Sequence, residues 1–393
     1  MIGAFFKRHP VFEVHMVLMA ILCIGLLQRS GFRFIPLFGL YLVVLTVSYA
    51  LLSRVGITRR PPALLKGNLR LLGIGVALFT AVVALVHWWS IGQIPLLEAL
   101  RQQDDFQVGA LRRAASDLAP SWVNYAGNLA IKALLPFALL ITWSRQRNLF
   151  WVLCAVGLAY SLSLIQKSYV ITLFVPLWVS FLIARKWVAW ASLSGLFVVM
   201  IGFLFIVAKP EKLVQTSQQA DAPVMDEGVK QHGLVGDLLW STTRRVLLMP
   251  GWTVSAWFEY IPAVIPFQHG AAVRPLATAM GRPYADLSMD VYVLEYPEQA
   301  AMGTKGTVPT AACMYDYANW GWPGLVLAGV LHAVLLVILT WLFGQRWRWA
   351  VVLNAFPLLA FTSCALPTAL LTHGWAATVV LYLIFADGDD PLP

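Results

Sequence analysis

Long apolar runs separated by short polar turns dominate the chain. They fall near 11–28, 34–52, 71–90, 124–143, 149–166, 169–184, 187–208, 323–343, 349–367 and 370–386. Most approach the roughly 20 residues that a helix needs to cross a bilayer. The pattern predicts an all-α polytopic membrane protein with about ten transmembrane helices. The run at 11–28 carries Glu13 and His15 and no small-residue cleavage site, so it reads as a retained first span and not as a signal peptide. Two polar stretches interrupt the pattern. The smaller, near 91–123, carries Asp104, Asp105, Arg112 and Arg113 with apolar and charged positions alternating at helical spacing, which suits a short helix lying at the interface. The larger covers 209–322. The chain therefore divides into residues 1–208 with seven spans, a large loop at 209–322, and 323–393 with three spans and a short tail.

Within the large loop, residues 209–232 are polar and Gln-rich. Residues 234–261 read as two amphipathic helices, with Leu234, Leu238, Thr242 and Arg245 on one side and a break at Pro250–Gly251. Residues 262–322 are rich in Pro and Gly and predict ordered coil and turns in place of long helices.

Composition sharpens this picture. The 393 residues are 59% apolar and only 12% charged, with a mean hydropathy of +0.72, whereas soluble domains are about a quarter charged. The large loop holds eleven of the nineteen acidic residues, eight Lys or Arg and thirteen aromatic residues. With the N-terminus inside, the cytoplasmic segments collect thirteen Lys or Arg and the short outward turns only Arg29, Arg33 and Lys167. That bias predicts cytoplasmic termini and an outward-facing large loop. The net charge of +9 mostly reflects this topology and is no sign of a nucleic-acid partner. Four cysteines imply no disulfide framework. No His/Cys cluster has metal-ligand spacing, and no P-loop or GxGxxG motif follows a strand pattern, so no metal and no cofactor are expected.

Candidate chemistry sits in the outward segments. Arg244, Arg245, Arg274 and Arg282 lie in the large loop, Lys167 at a turn between spans, and Lys132 inside a span. An ammonium at that depth costs about 2.5–3.5 kcal/mol on insertion scales unless compensated. Guanidinium and ammonium groups bind phosphate, so a lipid pyrophosphate at headgroup level suits this placement. Acidic residues are missing from 122–209 and from 318–386. A catalytic carboxylate must then come from the outward loops, with Glu259 and Asp290 among the candidates, unless Glu13 serves. His269 is the loop's better-placed titratable base, while His332 and His373 suit packing or pairing. Trp240, Trp252, Trp257, Trp320 and Trp322 fit an interfacial belt and equally sugar-ring stacking.

Gly306-Thr-Val-Pro-Thr-Ala, followed by Tyr317-Ala-Asn-Trp-Gly-Trp-Pro-Gly324 entering a span, resembles the Wzy-type oligosaccharide repeat-unit polymerases. Arg244-Arg245-Val-Leu-Leu-Met-Pro-Gly251 with Phe258-Glu-Tyr260 is similar to that family's paired loop helices. Gln93-Ile-Pro-Leu-Leu97 and the Lys167–Ser168 turn match further family positions. The family's acid two residues before the signature Tyr is here Tyr315, and the acid is Asp316.

The resemblance implies a glycosyltransferase of the bacterial inner membrane that works on the periplasmic face. It would join a glycan from one undecaprenyl-pyrophosphate carrier to the repeat unit on another, with a chain-length regulator as a further partner. The cations would stabilise the leaving pyrophosphate. His269, Glu259 or Asp290, in falling order, would assist the acceptor hydroxyl. Tyr260, Tyr317, Asn319 and Trp257 would meet the glycan. The nearest rival is an O-antigen ligase, which passes the same donor glycan to lipid A core. A transporter of the lipid-linked sugar is opposed by inner span halves nearly free of ionisable residues. A non-catalytic scaffold is a third class.

Overall fold

The computed structural model describes residues 8–54, 67–101, 108, 111, 115, 117–208, 240, 243–303, 305–344 and 346–385. Asp104, Asp105, Arg112, Arg113, the Gln-rich 209–232 stretch and Leu234, Leu238 and Thr242 lie outside them. Among the described residues all regular secondary structure is helical. Six helical stretches are long and apolar enough to cross a membrane. They are α1 (Pro10–Ser30), α2 (Ile35–Arg54), α3 (Leu69–Ile91), the continuous Ser121–Arg145 stretch, α9 (Trp187–Ala208) and α15 (Trp322–Phe343). The remaining expected spans also fold as helices, but shorter ones. They are α7 (Arg147–Ser163), α8 (Lys167–Ile183), α16 (Trp347–Phe361) and α17 (Trp375–Phe385). A helix α4 (Pro95–Ala99) opens the first polar stretch.

The large loop carries α10 (Met249–Tyr260), α11 (Arg274–Ala279), α12 (Leu287–Glu295), α13 (Pro297–Ala301) and α14 (Ala312–Trp320). The last four are five to nine residues long with coil between them, the arrangement expected from the Pro and Gly content. Pro250–Gly251 does not break its helix. A π-helical turn at Arg244–Leu248 runs directly into α10. The same device appears at Ala130–Leu134, between α5 (Ser121–Leu129) and α6 (Leu135–Arg145). In both, a proline (Pro136, Pro250) stands two residues past the π turn. A proline ring clashes with the carbonyl four residues back and offers no N–H. The widened turn absorbs that loss without ending the helix.

Compactness groups the chain differently from its linear division. One unit gathers Met1–Pro61, Glu227–Ala350 and Pro357–Ala369, and the other Pro62–Asp226, Val351–Phe356 and Leu370–Pro393. In the first unit, α15 packs along α2. A Cβ on Gly329 would lie 2.8 Å from Val44 Cγ1, so the close approach depends on glycine. Gly251 of α10 meets Gly25 of α1 in the same way, with a Cβ on Gly251 falling 2.2 Å from Leu22 O. Between α1, α2 and α15, fully buried His15 bonds the Tyr41 hydroxyl at 3.2 Å, and Tyr41 bonds His332 Nδ1 at 3.0 Å. His332 thus takes the pairing role expected of it. In the second unit, His87 Nδ1 pairs with the Tyr160 hydroxyl at 2.8 Å, and that hydroxyl lodges against Gly127.

Candidate functional site

The Tyr317–Gly324 motif is where the large loop is fastened to the start of a span. α14 ends at Gly321, whose φ of 68° lies in the left-handed region, and α15 begins with Pro323 in its first turn. A Cβ on Gly324 would stand 2.0 Å from Asp316 O, so the two helices cross backbone against backbone. The last carbonyls of a helix need partners, and here the loop supplies them. Gln268 N donates to Ala318 O at 2.9 Å and His269 N to Asn319 O at 3.0 Å. Asn319, fully buried, accepts through Oδ1 from Gly270 N at 2.7 Å and Ala272 N at 3.1 Å. The Tyr317 hydroxyl donates to Ile261 O at 3.1 Å. Together these bonds clasp residues 261–272 to α14.

The clasp has one exposed product, His269. Its φ of 48° is uncommon for a residue with a side chain, and it is held there by the bonds of its neighbours to α14. Its side chain stands at an open groove of about 340 Å³ lined also by Phe267, Trp320, Pro323, Gly324 and Leu327. Arg282, exposed, donates from Nη1 to His269 O at 3.2 Å. Arg274, also exposed, lies over the Tyr284 ring at 4.7 Å. The first unit thus places His269 at an apolar groove beside the start of α15, with Arg282 bonded to its backbone carbonyl.

The other acids have different surroundings. The Asp290 carboxyl is exposed, and its proton affinity is raised by partial burial and by the charge of Asp286. Asp316 was the departure from the family pattern. Burial pushes its carboxyl up to about 7. Glu259 lies 3.3 Å from Arg29 Nη2, and Arg29 also makes a two-pronged pair with Glu295, Nη2 to Oε2 at 2.8 Å. The Tyr260 hydroxyl donates to the same Glu295 carboxylate at 3.2 Å, and burial, followed by the Glu295 charge, raises its proton affinity. Glu259 and Tyr260 therefore belong to an ion-pair network that ties α10 and α12 to the C-terminal end of α1.

Three further glycan candidates and one motif are engaged within the fold. Trp257 is fully buried and donates from Nε1 to Val308 O at 3.0 Å, so neither ring face is open to a sugar. Tyr317 is 5% exposed and Asn319 0%, both spent on the clasp. The Gly306–Thr–Val–Pro stretch is a strap. A Cβ on Gly306 would lie 2.3 Å from the Tyr292 ring, and Val308 N donates to Ser288 O at 2.8 Å.

The remaining cations lie elsewhere. Arg244 and Arg245 occupy the π turn beside α1, with Arg244 over the Trp252 ring at 4.8 Å and Arg245 exposed. Lys132 and Lys167 belong to the second unit. Lys132 sits in the other π turn, donates to His373 Nδ1 at 2.8 Å and approaches the Tyr169 ring at 5.7 Å. Lys167 is the first residue of α8. Single π turns recur at functional sites, and these two hold three of the six cations named from the sequence. His373, as the partner of Lys132, and Arg29 were not singled out from sequence. The signals were an ammonium in need of a partner within apolar runs, and an Arg closing the first span opposite a loop rich in acids. Comparison of the chain with known protein families, curated proteins and solved structures finds no match.

Proposed function

We propose that the protein is a multi-pass glycosyltransferase of the bacterial inner membrane. It polymerises undecaprenyl-pyrophosphate-linked oligosaccharide repeat units on the periplasmic face. The observation that carries the reading is the clasp, in which a polymerase-like Tyr317–Gly324 motif holds His269 at a groove beside the start of α15, with Arg282 bonded to the His269 carbonyl. His269 takes the proton from the acceptor hydroxyl as that oxygen attacks the anomeric carbon of the donor glycan. The bond from that carbon to the pyrophosphate oxygen breaks, and the carrier leaves with the electron pair. Arg282 and Arg274 stabilise the departing charge, and an electrostatic contact is worth most where charge develops. No strong general acid is needed for so stable a leaving group. The ten helical segments, including the shorter four, serve as the spans, with both termini cytoplasmic and the large loop periplasmic. Donor and acceptor lipids, the bilayer and a chain-length regulator are the partners.

The test is reconstitution of purified protein in proteoliposomes with lipid-linked repeat units, chelator and no nucleotide sugar. A ladder spaced by one repeat unit is expected. Transfer only when lipid A core is supplied would replace polymerase with ligase, and failure with both acceptors would sink the glycosyltransferase reading. The buried His15–Tyr41–His332 chain favours a second reading, a carrier of the same lipid-linked sugar, because ionisable groups within spans mark translocation paths. Protein-dependent flipping of the labelled lipid without any transfer would select it.

A further inference from the structure

Histidines and tyrosines recur at matched levels inside the first unit, and the transfer reaction uses none of them. Tyr41 of α2 stands between His15 of α1 and His332 of α15, bonding His15 Nε2 at 3.2 Å and His332 Nδ1 at 3.0 Å. Tyr49 repeats the arrangement, with His9 Nδ1 at 2.9 Å and Thr340 Oγ1 at 3.0 Å. Tyr41 and Tyr49 are eight residues apart on α2, as are His332 and Thr340 on α15, so the two levels lie about 12 Å apart. A third level lies a similar distance toward the large loop, where Gly324, eight residues before His332, crosses Asp316. Together the three levels span about 24 Å, most of the roughly 30 Å hydrocarbon thickness of a bilayer. Titratable groups stand in the intervals. Asp316 and Cys313 of α14 are near enough to Tyr41 to act on it electrostatically, and Glu13, between His9 and His15 on α1, acts in the same way on Tyr49.

The middle level has the chemistry of a relay. One hydroxyl carries one proton, so Tyr41 donates to one histidine and accepts an N–H from the other. The far atoms His15 Nδ1 and His332 Nε2, together with Glu13 Oε1, are buried and bond no described residue. Leaving a buried polar atom so costs about 1–3 kcal/mol, and chains of ionisable groups within spans mark proton movement. We propose that α1, α2 and α15 enclose a proton path running from Asp316 through His332, Tyr41 and His15 to Glu13 and His9. A proton reaching His332 Nε2 forms an N–H bond there, and the Nδ1–H bond breaks. That proton binds the Tyr41 oxygen while the Tyr41 proton passes to His15 Nε2, and the His15 Nδ1 proton leaves toward Glu13. One proton enters, one leaves, and nothing is oxidised or reduced. Water is the carrier between levels, seated on the unpaired atoms. Burial pushes the Asp316 carboxyl up to about 7, so it loads and releases protons near neutral pH. After each transit the chain is left in mirror orientation, and the Tyr41 hydroxyl and both imidazoles must reset. Phe361 packs on both rings, at 5.7 Å from His15 and 4.5 Å from His332 between centroids, so the reset is slow and the path conducts weakly. The path stands apart from the glycosyltransferase reading and needs no lipid-linked sugar.

The experiment seals the full-length protein in phosphatidylethanolamine/phosphatidylglycerol proteoliposomes with a pH-sensitive dye trapped inside. A potassium gradient with valinomycin makes the interior negative, and no sugar or lipid-linked substrate is present. Wild type is expected to acidify the interior faster than protein-free liposomes. Tyr41→Phe keeps the ring and removes the shared proton carrier, so the protein-dependent acidification should be lost. His332→Asn places an amide where Nδ1 stood, which keeps a bond to Tyr41 but passes no proton on. It should show the same loss, and it decides the matter if Tyr41→Phe lowers Tm so far that the protein does not fold. Wild-type acidification no faster than that of protein-free liposomes overturns the proposal, as does a full rate in either folded variant. Because no glycan is supplied, the outcome is independent of the product ladder, and either reading can fail without the other.

Discussion

Asp316 lies on the second turn of α14, directly under the Gly324 crossing, and no hydrogen bond or ion pair joins its carboxylate to another described residue. Burial pushes the group from 3.8 to about 7. In the folded protein it keeps its proton across that window, whereas in the unfolded chain it has released it. Stability must therefore fall as pH rises from about 4 to about 7 and level off above. At about 1.4 kcal/mol per pH unit, the ceiling on the loss is about 4 kcal/mol. Asp316→Asn replaces the neutral acid by a group of the same shape that cannot ionise. The variant should lie about 1.6 kcal/mol above wild type at pH 5, because about 1.2 of the roughly 3 pH units between 3.8 and about 7 have already been crossed, and up to about 4 kcal/mol above it at pH 8. Thermal unfolding in detergent at the two pH values reads this directly. A kcal/mol is worth roughly 2–4 °C in chains of 150–250 residues, so a difference of several degrees at pH 8 is expected. An Asp316→Asn shift that is the same at pH 5 and pH 8 would refute the burial argument. A fall in Tm confined to pH 8 would mean that the ionised carboxylate has a stabilising partner.

The ion-pair network makes a second prediction. Arg29→Met strands Glu295, which is 13% exposed, and should cost about 2–4 kcal/mol; adding Glu295→Gln should recover part of it in a double-mutant cycle, and additive losses would show that the pair is not coupled. Glycines give a contrast within one fold. Gly324→Ala pushes a Cβ to 2.0 Å from Asp316 O and should lower stability by at least the roughly 1–3 kcal/mol of overpacking. Gly39→Ala, with open space around it in α2, should be neutral or stabilising by up to about 1 kcal/mol. Equal Tm values for the two variants would contradict the helix crossing. For the second unit, Lys132→Met should slow glycan transfer at least about tenfold while Lys132→Arg keeps part of it, the pattern of a cation beside an anion. An unchanged rate in Lys132→Met would remove that lysine from the pyrophosphate role.

The apolar runs were legible because a span writes its own length into sequence. Each expected run is occupied by a helix, although Pro176 and Pro357 sit inside the shorter ones. The Tyr317–Gly324 motif was also legible as a unit, but its role was misread. Tyr317 and Asn319 resemble sugar-binding residues in type, and only the fold shows their polar atoms spent on Ile261, Gly270 and Ala272. Trp257 failed for a related reason. A loop of this size folds on itself, and aromatic spacing carries no information on which rings face its interior. The pairs that matter most join residues far apart in sequence: Arg29 and Glu295 are 266 positions apart, and Lys132 and His373 241. No local pattern encodes such partners. Pro250 was misread because a π turn relieves a proline that α-helical geometry would reject.

The central claim is that His269, held by the clasp beside Arg282, performs the proton transfer of a lipid-donor glycosyltransferase. The most direct measurement is the rate of repeat-unit transfer by proteoliposomes containing wild type or His269→Gln, with Tm recorded for both. The account predicts matching Tm values and a transfer rate reduced by about 10²–10⁴-fold, the usual contribution of a positioned acid or base. A folded His269→Gln protein that builds the ladder at the wild-type rate would contradict it.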